Sequence, residues 1–505
     1  MRGMQGFMAL HRQTLEADFA ERSRRDAAAM ERRIEMARAS GRLGDGRLAN
    51  MADLERAGHF EADGIFLGAF KGRLLFYNGE APMMSYAMTG SGKGRDMILP
   101  NLAHSRGRSL FVLDQKDGEN AYVSGAFRES QGAGCIYLNP CGLHGLTNTR
   151  INPLQLLVDI VRRGDIIDTE SVEIAHILLP PKSNDPNGWV RSGAVRLLAT
   201  RAEYLAQFEP ERCTLSNLWR FVNTDAEQTD LDFAMMRTCG IEAIERKAAA
   251  LLDTAINAPK QFAAYLTDAQ DALAVFEPGK TLAAATDAHE FDFARMKHEP
   301  HTVYLMLPAE KSGVAAPYMS LIVNYAIETI ARERGPVRTT LILDEFPQLN
   351  RTNSVLKAVQ VYRGKGIQPW IISQGRFSMA ERWPPNIIKE FEDQSAVMTM
   401  KFVKDPDLLR DIELWSGNQT ILMPGMSHSG GIVHSAGANL GETKRAVLQS
   451  EDVFGKPELL IRFADMPHLV KANSIPFYKV NPWKERIGDV RTLHRANENS
   501  ISRRV

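Results

Sequence analysis

Short apolar runs recur along the chain. They are Ser109–Asp114, Cys135–Leu138, Thr302–Leu307, Thr339–Asp344 and Pro369–Ser373. Runs of this length that are rich in Val, Ile and Leu predict strands buried on both faces of a sheet. Helical patterns separate the runs, and strands that alternate with helices indicate a parallel α/β sheet. Two further runs within Gly64–Tyr77 flank the turn Lys71–Arg73 and predict a hairpin.

A long stretch of helical periodicity interrupts the predicted strands. Between Leu154 and about Lys297, strand patterns are sparse, and helices are predicted at Ser192–Phe208, Ile241–Ala255 and Pro259–Ala274. Pro259 suits the first position of its helix, where the missing N–H has no partner to lose. We expect this stretch to form an all-α domain inserted into the sheet domain.

Both ends of the chain are charged. Residues Leu10–Ala39 are rich in Ala, Glu and Arg and carry apolar residues at near-helical spacing, which predicts a helix or a short coiled coil. A solvated surface helix and a partner-binding helix fit this pattern equally well. The residues from Trp483 onward are basic and predict a loosely ordered tail.

Composition narrows the class of protein. The chain has 505 residues, of which 44% are hydrophobic, enough for two or three domains. Its 61 basic and 61 acidic residues balance, so net charge does not indicate nucleic-acid binding. Basic groups that line a channel would not show in the net charge when the outer surface is neutral or acidic. The four cysteines lack C-x-x-C spacing and indicate free thiols in a reducing cytoplasm. No run is long and apolar enough for a transmembrane helix, so we expect no direct membrane span.

The segment Ala87–Gly94 resembles a phosphate-binding loop. The usual pattern is G-x-x-x-x-G-K-[ST], but here the first residue is Ala and the last is Gly. The residues expected to contact ATP are Thr89, Gly90, Ser91, Gly92, Lys93 and Gly94. The glycines let backbone N–H groups close around phosphate oxygens at a helix start, and Lys93 would reach the β- and γ-phosphates. Taken alone, the segment fits a flexible turn equally well.

Two strand ends supply the polar groups that such a loop needs. Asp344 and Glu345 end one predicted strand, and Gln374 ends the next. A loop, an acid-tipped strand and a Gln-tipped strand follow one another in RecA-like motor ATPases. In that arrangement Asp344 would hold Mg²⁺, Glu345 would polarise the attacking water and Gln374 would sense the γ-phosphate.

Arg363 is the candidate for a catalytic arginine supplied by a neighbouring subunit. It lies between the acid-tipped strand and the Gln-tipped strand, where related motors carry such a residue. A surface arginine that faces phosphate or DNA is the competing interpretation.

These motifs closely resemble the TraG/TraD-type coupling proteins of type IV secretion systems. The resemblance runs from about Gly46 to Val480. The segments that carry it are Glu61–Phe70, Thr89–Gly94, Ile98–Leu102, Asp114–Glu119, Asn152–Leu154, Trp189, Leu343–Phe346 and Ser373–Gln374. Gly94 is a familiar variant of the family loop, whereas Ala87 is less usual. Family members usually begin with transmembrane helices, whereas we expect none in this chain. A trimmed chain and a soluble member that docks through its N-terminal helix both fit this expectation.

The resemblance implies an architecture and a set of partners. It implies a homohexameric RecA-like P-loop motor whose parallel sheet is interrupted by an all-α cap that selects substrates. The expected divisions are an N-terminal charged helix (1–45), the nucleotide-binding domain (46–154 and 298–482), the all-α substrate-recognition domain (155–297) and a basic tail (483–505). The expected partners are relaxase-bound single-stranded DNA or effector proteins, and channel components at the bacterial inner membrane.

Three functions remain open from the sequence. The first is an ATP-driven coupling protein that delivers these substrates to a secretion channel. The second is a double-stranded DNA pump of the FtsK/HerA kind, which usually has a cleaner loop and lacks the large helical insertion. The third is a docking platform that binds nucleotide with little turnover, which the departures at Ala87 and Gly94 would suit.

Overall fold

The computed structural model describes residues 40–181, 186–427 and 437–488, with five single residues between 21 and 32. Most of the predicted N-terminal helix and most of the predicted tail fall outside these residues. The described chain forms two compact units. The larger unit comprises Met51–Asp405, Gly455–Met466 and the residues from Lys471, and the smaller one the segments up to Asn50, Pro406–Phe454 and Pro467–Val470.

The strands and helices have the following bounds. The strands are β1 Ile65–Phe70, β2 Arg73–Tyr77, β3 Met83–Ala87, β4 Ser109–Asp114, β5 Gly134–Leu138, β6 His301–Met306, β7 Thr339–Leu343, β8 Ile367–Ser373, β9 Val397–Lys401, β10 Asn418–Ser427, β11 Gly437–Ala446, β12 Leu459–Phe463 and β13 Val470–Ala472. The helices are α1 Met51–Arg56, α2 Leu99–His104, α3 Glu119–Ser130, α4 Gln155–Arg162, α5 Asp168–Leu178, α6 Gly188–Phe208, α7 Leu215–Val222, α8 Ala226–Arg237, α9 Glu242–Asn257, α10 Pro259–Leu273, α11 Thr281–Thr286, α12 Ala316–Arg332, α13 Asn353–Gln360, α14 Arg376–Ala380, α15 Pro385–Gln394, α16 Pro406–Ser416, α17 Ser450–Val453 and α18 Trp483–Arg486.

A nine-stranded, mostly parallel sheet forms the centre of the larger unit. Its strand order is β13-β12-β9-β3-β8-β7-β4-β6-β5. Neighbouring strands from β9 to β5 run parallel, and β12 runs antiparallel to β9. Every residue of β3, β7 and β8 is buried, as expected for strands covered on both faces. The predicted α/β fold with a parallel sheet is confirmed.

The helical stretch and the hairpin also follow the sequence patterns. Between Leu154 and Lys297 the described residues form helices and turns without a strand. Helices α6, α9 and α10 cover the three predicted helices, and Pro259 is the first residue of α10. Strands β1 and β2 pair antiparallel around Lys71 and Gly72.

Two features differ from the expectations. The smaller unit contains the antiparallel hairpin of β10 and β11 and was not predicted, because it is assembled from segments far apart in the sequence. The fold also continues past residue 482. The Trp483 side chain is buried and meets the Phe66 ring edge-on, with ring centroids 4.7 Å apart.

No helix among the described residues has both the length and the apolar character of a membrane span.

Helix α6 packs against α10 through Gly193. A Cβ built at Gly193 would lie 2.1 Å from the Tyr265 ring, which is itself buried. We expect Gly193→Ala to destabilise the protein by about 1–3 kcal/mol, since overpacking outweighs the gain in helix propensity. Gly188→Ala in the same helix is the control, because a Cβ there meets nothing within 4 Å. Urea unfolding of both variants measures the effect, and equal midpoints would contradict this packing.

Candidate active site

Five parallel strands bring polar residues to one edge of the sheet. Lys401 ends β9, the predicted phosphate loop follows β3, Gln374 follows β8, Asp344 and Glu345 follow β7, and Asp114 ends β4. The carboxyl ends of these strands meet at one edge because the strands are parallel neighbours in the order β9-β3-β8-β7-β4. Ligands of open α/β sheets bind at this edge.

The Lys93 ammonium is buried between two carboxylates at that edge. Lys93 Nζ lies 2.5 Å from Glu345 Oε1 and 3.5 Å from Asp344 Oδ1. Gln374 Nε2 donates to the other Glu345 oxygen, Oε2, at 3.1 Å. The structure therefore brings together the lysine, the two acids and the glutamine that the sequence singled out.

Glu345 has an uncommon backbone conformation. Its φ is +51°, in the left-handed region, and its N–H donates to Asp344 Oδ1 at 3.0 Å. Residues other than Gly and Asn rarely adopt this conformation, and it is enriched at functional sites. This turn places the carboxylates of consecutive residues on the same ammonium group.

The loop between β3 and α2 has the geometry of an anion-binding turn. Thr89 and Gly90 are exposed, Gly92 and Gly94 are half-buried, and Ser91 and Lys93 are buried. Gly92 has φ +86°, and a Cβ there would lie 2.7 Å from Asp96 Oδ2, so any other residue would be strained and would displace the Asp96 side chain. A five-residue π-helix, Gly94–Ile98, then leads directly into α2. The first N–H groups of this continuous helix point back toward the loop.

A lysine from β9 holds this loop in place. Lys401 Nζ donates to Ser91 O at 2.7 Å and lies 3.0 Å from Asp96 Oδ2. Lys401 and Asp96 are both buried, and Arg95 also pairs with Asp96. Lys401 was not predicted as a site residue, since its strand carries no recognisable motif.

Asp114 and Lys116 are the polar residues at the carboxyl end of β4, beside Asp344. Lys116 Nζ lies 3.2 Å from Asp344 Oδ2. Burial opposes the charge of Lys116, but the carboxylates of Asp344 and Glu345 outweigh it and raise the pKa of Lys116. Lys116 was not among the predicted site residues, although its position two residues after a strand was the available signal.

The Asp114 carboxyl group is partly protonated near neutral pH. Burial raises its pKa to about 7, the charge of Asp344 adds to this, and hydrogen bonds from Ala121 N and Asn120 Nδ2 oppose it. Both Asp114 oxygens already accept hydrogen bonds from these donors, so Asp344 remains the candidate for a metal ligand.

Arg363 lies apart from these residues. It is exposed in the 3₁₀ turn Tyr362–Lys365 that precedes β8, whereas Gln374 follows β8. The seven residues of β8 separate the two ends by about 20 Å. Within one chain Arg363 therefore lies at the edge formed by the amino ends of the strands, whereas Lys93 lies at the edge formed by their carboxyl ends. Contact between Arg363 and a nucleotide bound at Lys93 requires a second subunit.

The residues present fit a nucleotide with Mg²⁺. The Ser91 hydroxyl is buried and has no hydrogen-bond partner among the described residues. A Cβ built at Gly90 or Gly94 meets nothing within 4 Å, so the loop backbone faces open space. Mg²⁺ commonly binds one or two carboxylates together with phosphate oxygens and waters, and Asp344 supplies such a carboxylate.

Comparison with known proteins identifies the family. The family described as "Type IV secretory system Conjugative DNA transfer" matches residues 47–495, most of the chain. The chain belongs to this family. It is 22% identical over 338 residues to a "Conjugal transfer protein TraG" of Escherichia coli, which covers 62% of this chain and 52% of the relative. The chain therefore spans about half the length of the curated relatives it matches.

Solved structures of the coupling protein TrwB share the fold. TrwB in complex with the ATP analogue ADPNP superposes with a TM-score of 0.64 at 15% identity, over 87% of this chain and 95% of TrwB. TrwB in complex with ADP and Mg²⁺ gives a TM-score of 0.61 at 16% identity, over 85% and 94% of the two chains. The RecA-like fold expected from the order of the motifs is thus confirmed for this family member.

The hydrogen bonds of Lys401 predict how the loop responds when this lysine is replaced. We expect Lys401→Met to destabilise the protein by about 1–3 kcal/mol, since Ser91 O and Asp96 lose a buried charged donor. Amide hydrogen exchange should become faster across residues 91–96. Lys404→Met is the matched control, because Lys404 is exposed. Unchanged exchange at residues 91–96 in Lys401→Met would show that the loop does not depend on this lysine.

Proposed function

We propose that the protein is an ATP-driven coupling protein of a type IV secretion or conjugation system. The observation that carries this proposal is the convergence of Lys93, Asp344, Glu345 and Gln374 at one sheet edge in a member of the conjugative DNA transfer family. The protein would recruit relaxase-bound single-stranded DNA or effector proteins and deliver them to the secretion channel at the inner membrane.

The loop would hold ATP. The backbone of residues 89–94 and the Lys93 ammonium would bind the phosphates, as the complexes of TrwB with ADPNP and with ADP and Mg²⁺ support. Bound Mg²⁺ would neutralise charge on the β- and γ-phosphate oxygens. Asp344 would orient the metal and its waters. Gly94 stands where the usual motif has a Ser or Thr hydroxyl that binds the metal, so more of this task would fall to Asp344.

Hydrolysis would depend on Glu345. Its carboxylate would accept a hydrogen bond from the attacking water and take up its proton, while Gln374 fixes the orientation of the carboxylate through the contact at 3.1 Å. Because Lys93 contacts Glu345 directly, a phosphate group that attracts Lys93 would also free the carboxylate for water.

Arg363 would act in trans within a homohexamer. Its place at the opposite sheet edge suits an interface in which one subunit offers residues 89–94 and the next offers Arg363. Such head-to-tail contacts close into rings. The helical stretch 155–297 lies outside the strands that carry the catalytic candidates, and we assign it to substrate recognition.

ATP turnover in the presence of DNA tests the proposed function. We expect Mg²⁺-dependent hydrolysis, stimulated more by single-stranded than by double-stranded DNA. Lys93→Ala should reduce turnover to background because the β/γ-phosphates lose their charged donor. Glu345→Gln should retain ATP binding and lose at least about 100-fold in turnover, within the range for general acid–base groups.

The same assay separates the alternatives. Nucleotide binding without Mg²⁺-dependent turnover would indicate a docking platform, and preferential stimulation by double-stranded DNA would indicate a duplex pump. Undiminished turnover in Lys93→Ala, with folding verified by circular dichroism, would refute the assignment of the loop.

Mixing two inactive variants tests Arg363. We expect Arg363→Ala to lower turnover by about 10³–10⁵-fold, as for other trans-acting arginines, with little change in ATP binding. Mixed with Lys93→Ala protein, it should regain part of the activity, since some interfaces then pair an intact loop with an intact Arg363. Absence of rescue in rings shown to contain both variants would mean that Arg363 does not act across an interface.

A further inference from the structure

Glu328 of α12 is a buried carboxylate with three donors around it. Its side chain is 1% exposed and pairs with Arg332 one turn further along α12. Lys357 Nζ of α13 lies 3.5 Å from Glu328 Oε1, and the Tyr362 hydroxyl lies 3.3 Å from both carboxylate oxygens. A carboxylate this deeply buried requires such partners, and removing one leaves the others imperfectly paired.

The two cations of this cluster also bind α5, within the helical stretch. Lys357 Nζ lies 3.0 Å and 3.2 Å from the two oxygens of Glu173. Arg332 Nη2 lies 2.7 Å from Glu170 Oε1. Both Glu170 and Glu173 belong to α5, so each cation bridges the helical stretch and Glu328.

On its other side the cluster holds the turn that carries Arg363. Tyr362 donates to Glu328 and is followed directly by Arg363. Burial, with the nearby Glu328 carboxylate, raises the pKa of Tyr362 to about 12, so the phenol keeps the proton that it donates. The turn is held at its other end by the buried Lys297, whose Nζ donates to Lys365 O at 2.8 Å. Arg363 is therefore exposed on a turn fixed at both ends.

We propose that the cluster of Glu328 with Arg332, Lys357 and Tyr362 is a positioning device that couples the helical stretch to Arg363. A shift of α5 would move Lys357 through its contacts with Glu173 and so change how Glu328 is paired. This change would weaken or strengthen the hydrogen bond from Tyr362, the residue before Arg363. Substrate bound by the helical stretch would in this way tune the arginine that each subunit offers to its neighbour. This inference rests on the proposed trans role of Arg363.

A double-mutant cycle in the full-length protein tests the coupling. Tyr362→Phe removes only the hydroxyl, and we expect it to lower DNA-stimulated kcat by about two- to tenfold, the effect of one hydrogen bond. KM for ATP and nucleotide binding should stay unchanged, because the loop and Asp344 are untouched. The double variant with Arg363→Ala should be no slower than Arg363→Ala alone, since Tyr362 acts through Arg363.

Lys357→Met tests the side of the cluster that faces α5. It breaks the links to Glu173 and Glu328 together, and we expect the same loss of kcat and the same non-additivity with Arg363→Ala. Lys389→Met, at an exposed lysine on α15, should match the unmodified protein. This second variant also provides the test if Tyr362→Phe fails to fold.

The outcomes separate this inference from the proposed function. If Arg363→Ala is impaired but Tyr362→Phe and Lys357→Met are fully active, or add to Arg363→Ala, the coupling is refuted and the trans role of Arg363 stands. If Arg363→Ala is itself fully active, both the coupling and the trans role fail, whereas loss of turnover in Lys93→Ala would still support the ATPase.

Discussion

The parallel alignment of neighbouring strands is the constraint on which the site depends. Because β9, β3, β8, β7 and β4 run in one direction, each delivers the residues at its carboxyl end to the same edge. Side chains separated by hundreds of residues, such as Lys93 and Glu345, come within 2.5 Å there. The buried strands fix the edge, and the turns that follow them are free to carry polar chemistry.

The elements along the chain were predictable where local pattern decides structure. Apolar β-branched runs predicted β4, β7 and β8, because strands buried on both faces tolerate few polar residues. Helix α10 was predicted from its periodicity and from Pro259 at its start. The residues of the candidate site at the ends of β3, β7 and β8 were predictable for a related reason. They lie directly after strands, where a parallel sheet gathers them.

Spatial order was not predictable in the same way. Lys116 reaches Asp344 only because β4 is the neighbour of β7, and no local pattern encodes that neighbour. Lys401 ends an unremarkable strand that lies beside the strand leading into the loop. The smaller unit escaped prediction because its segments meet only in the fold. Sequence patterns thus revealed the elements, while pairing between distant strands determined which polar groups became neighbours.

The contact between Lys93 and Glu345 has a consequence for the order of events. A single ammonium group serves two anions, the carboxylate it contacts and the phosphate it is proposed to bind, and it cannot satisfy both fully. Arrival of the phosphate and release of Glu345 are then one exchange of partners. In the described structure the Lys93 ammonium neutralises the Glu345 carboxylate. If Lys93 binds phosphate as proposed, nucleotide binding and release of the proposed base are a single coupled event.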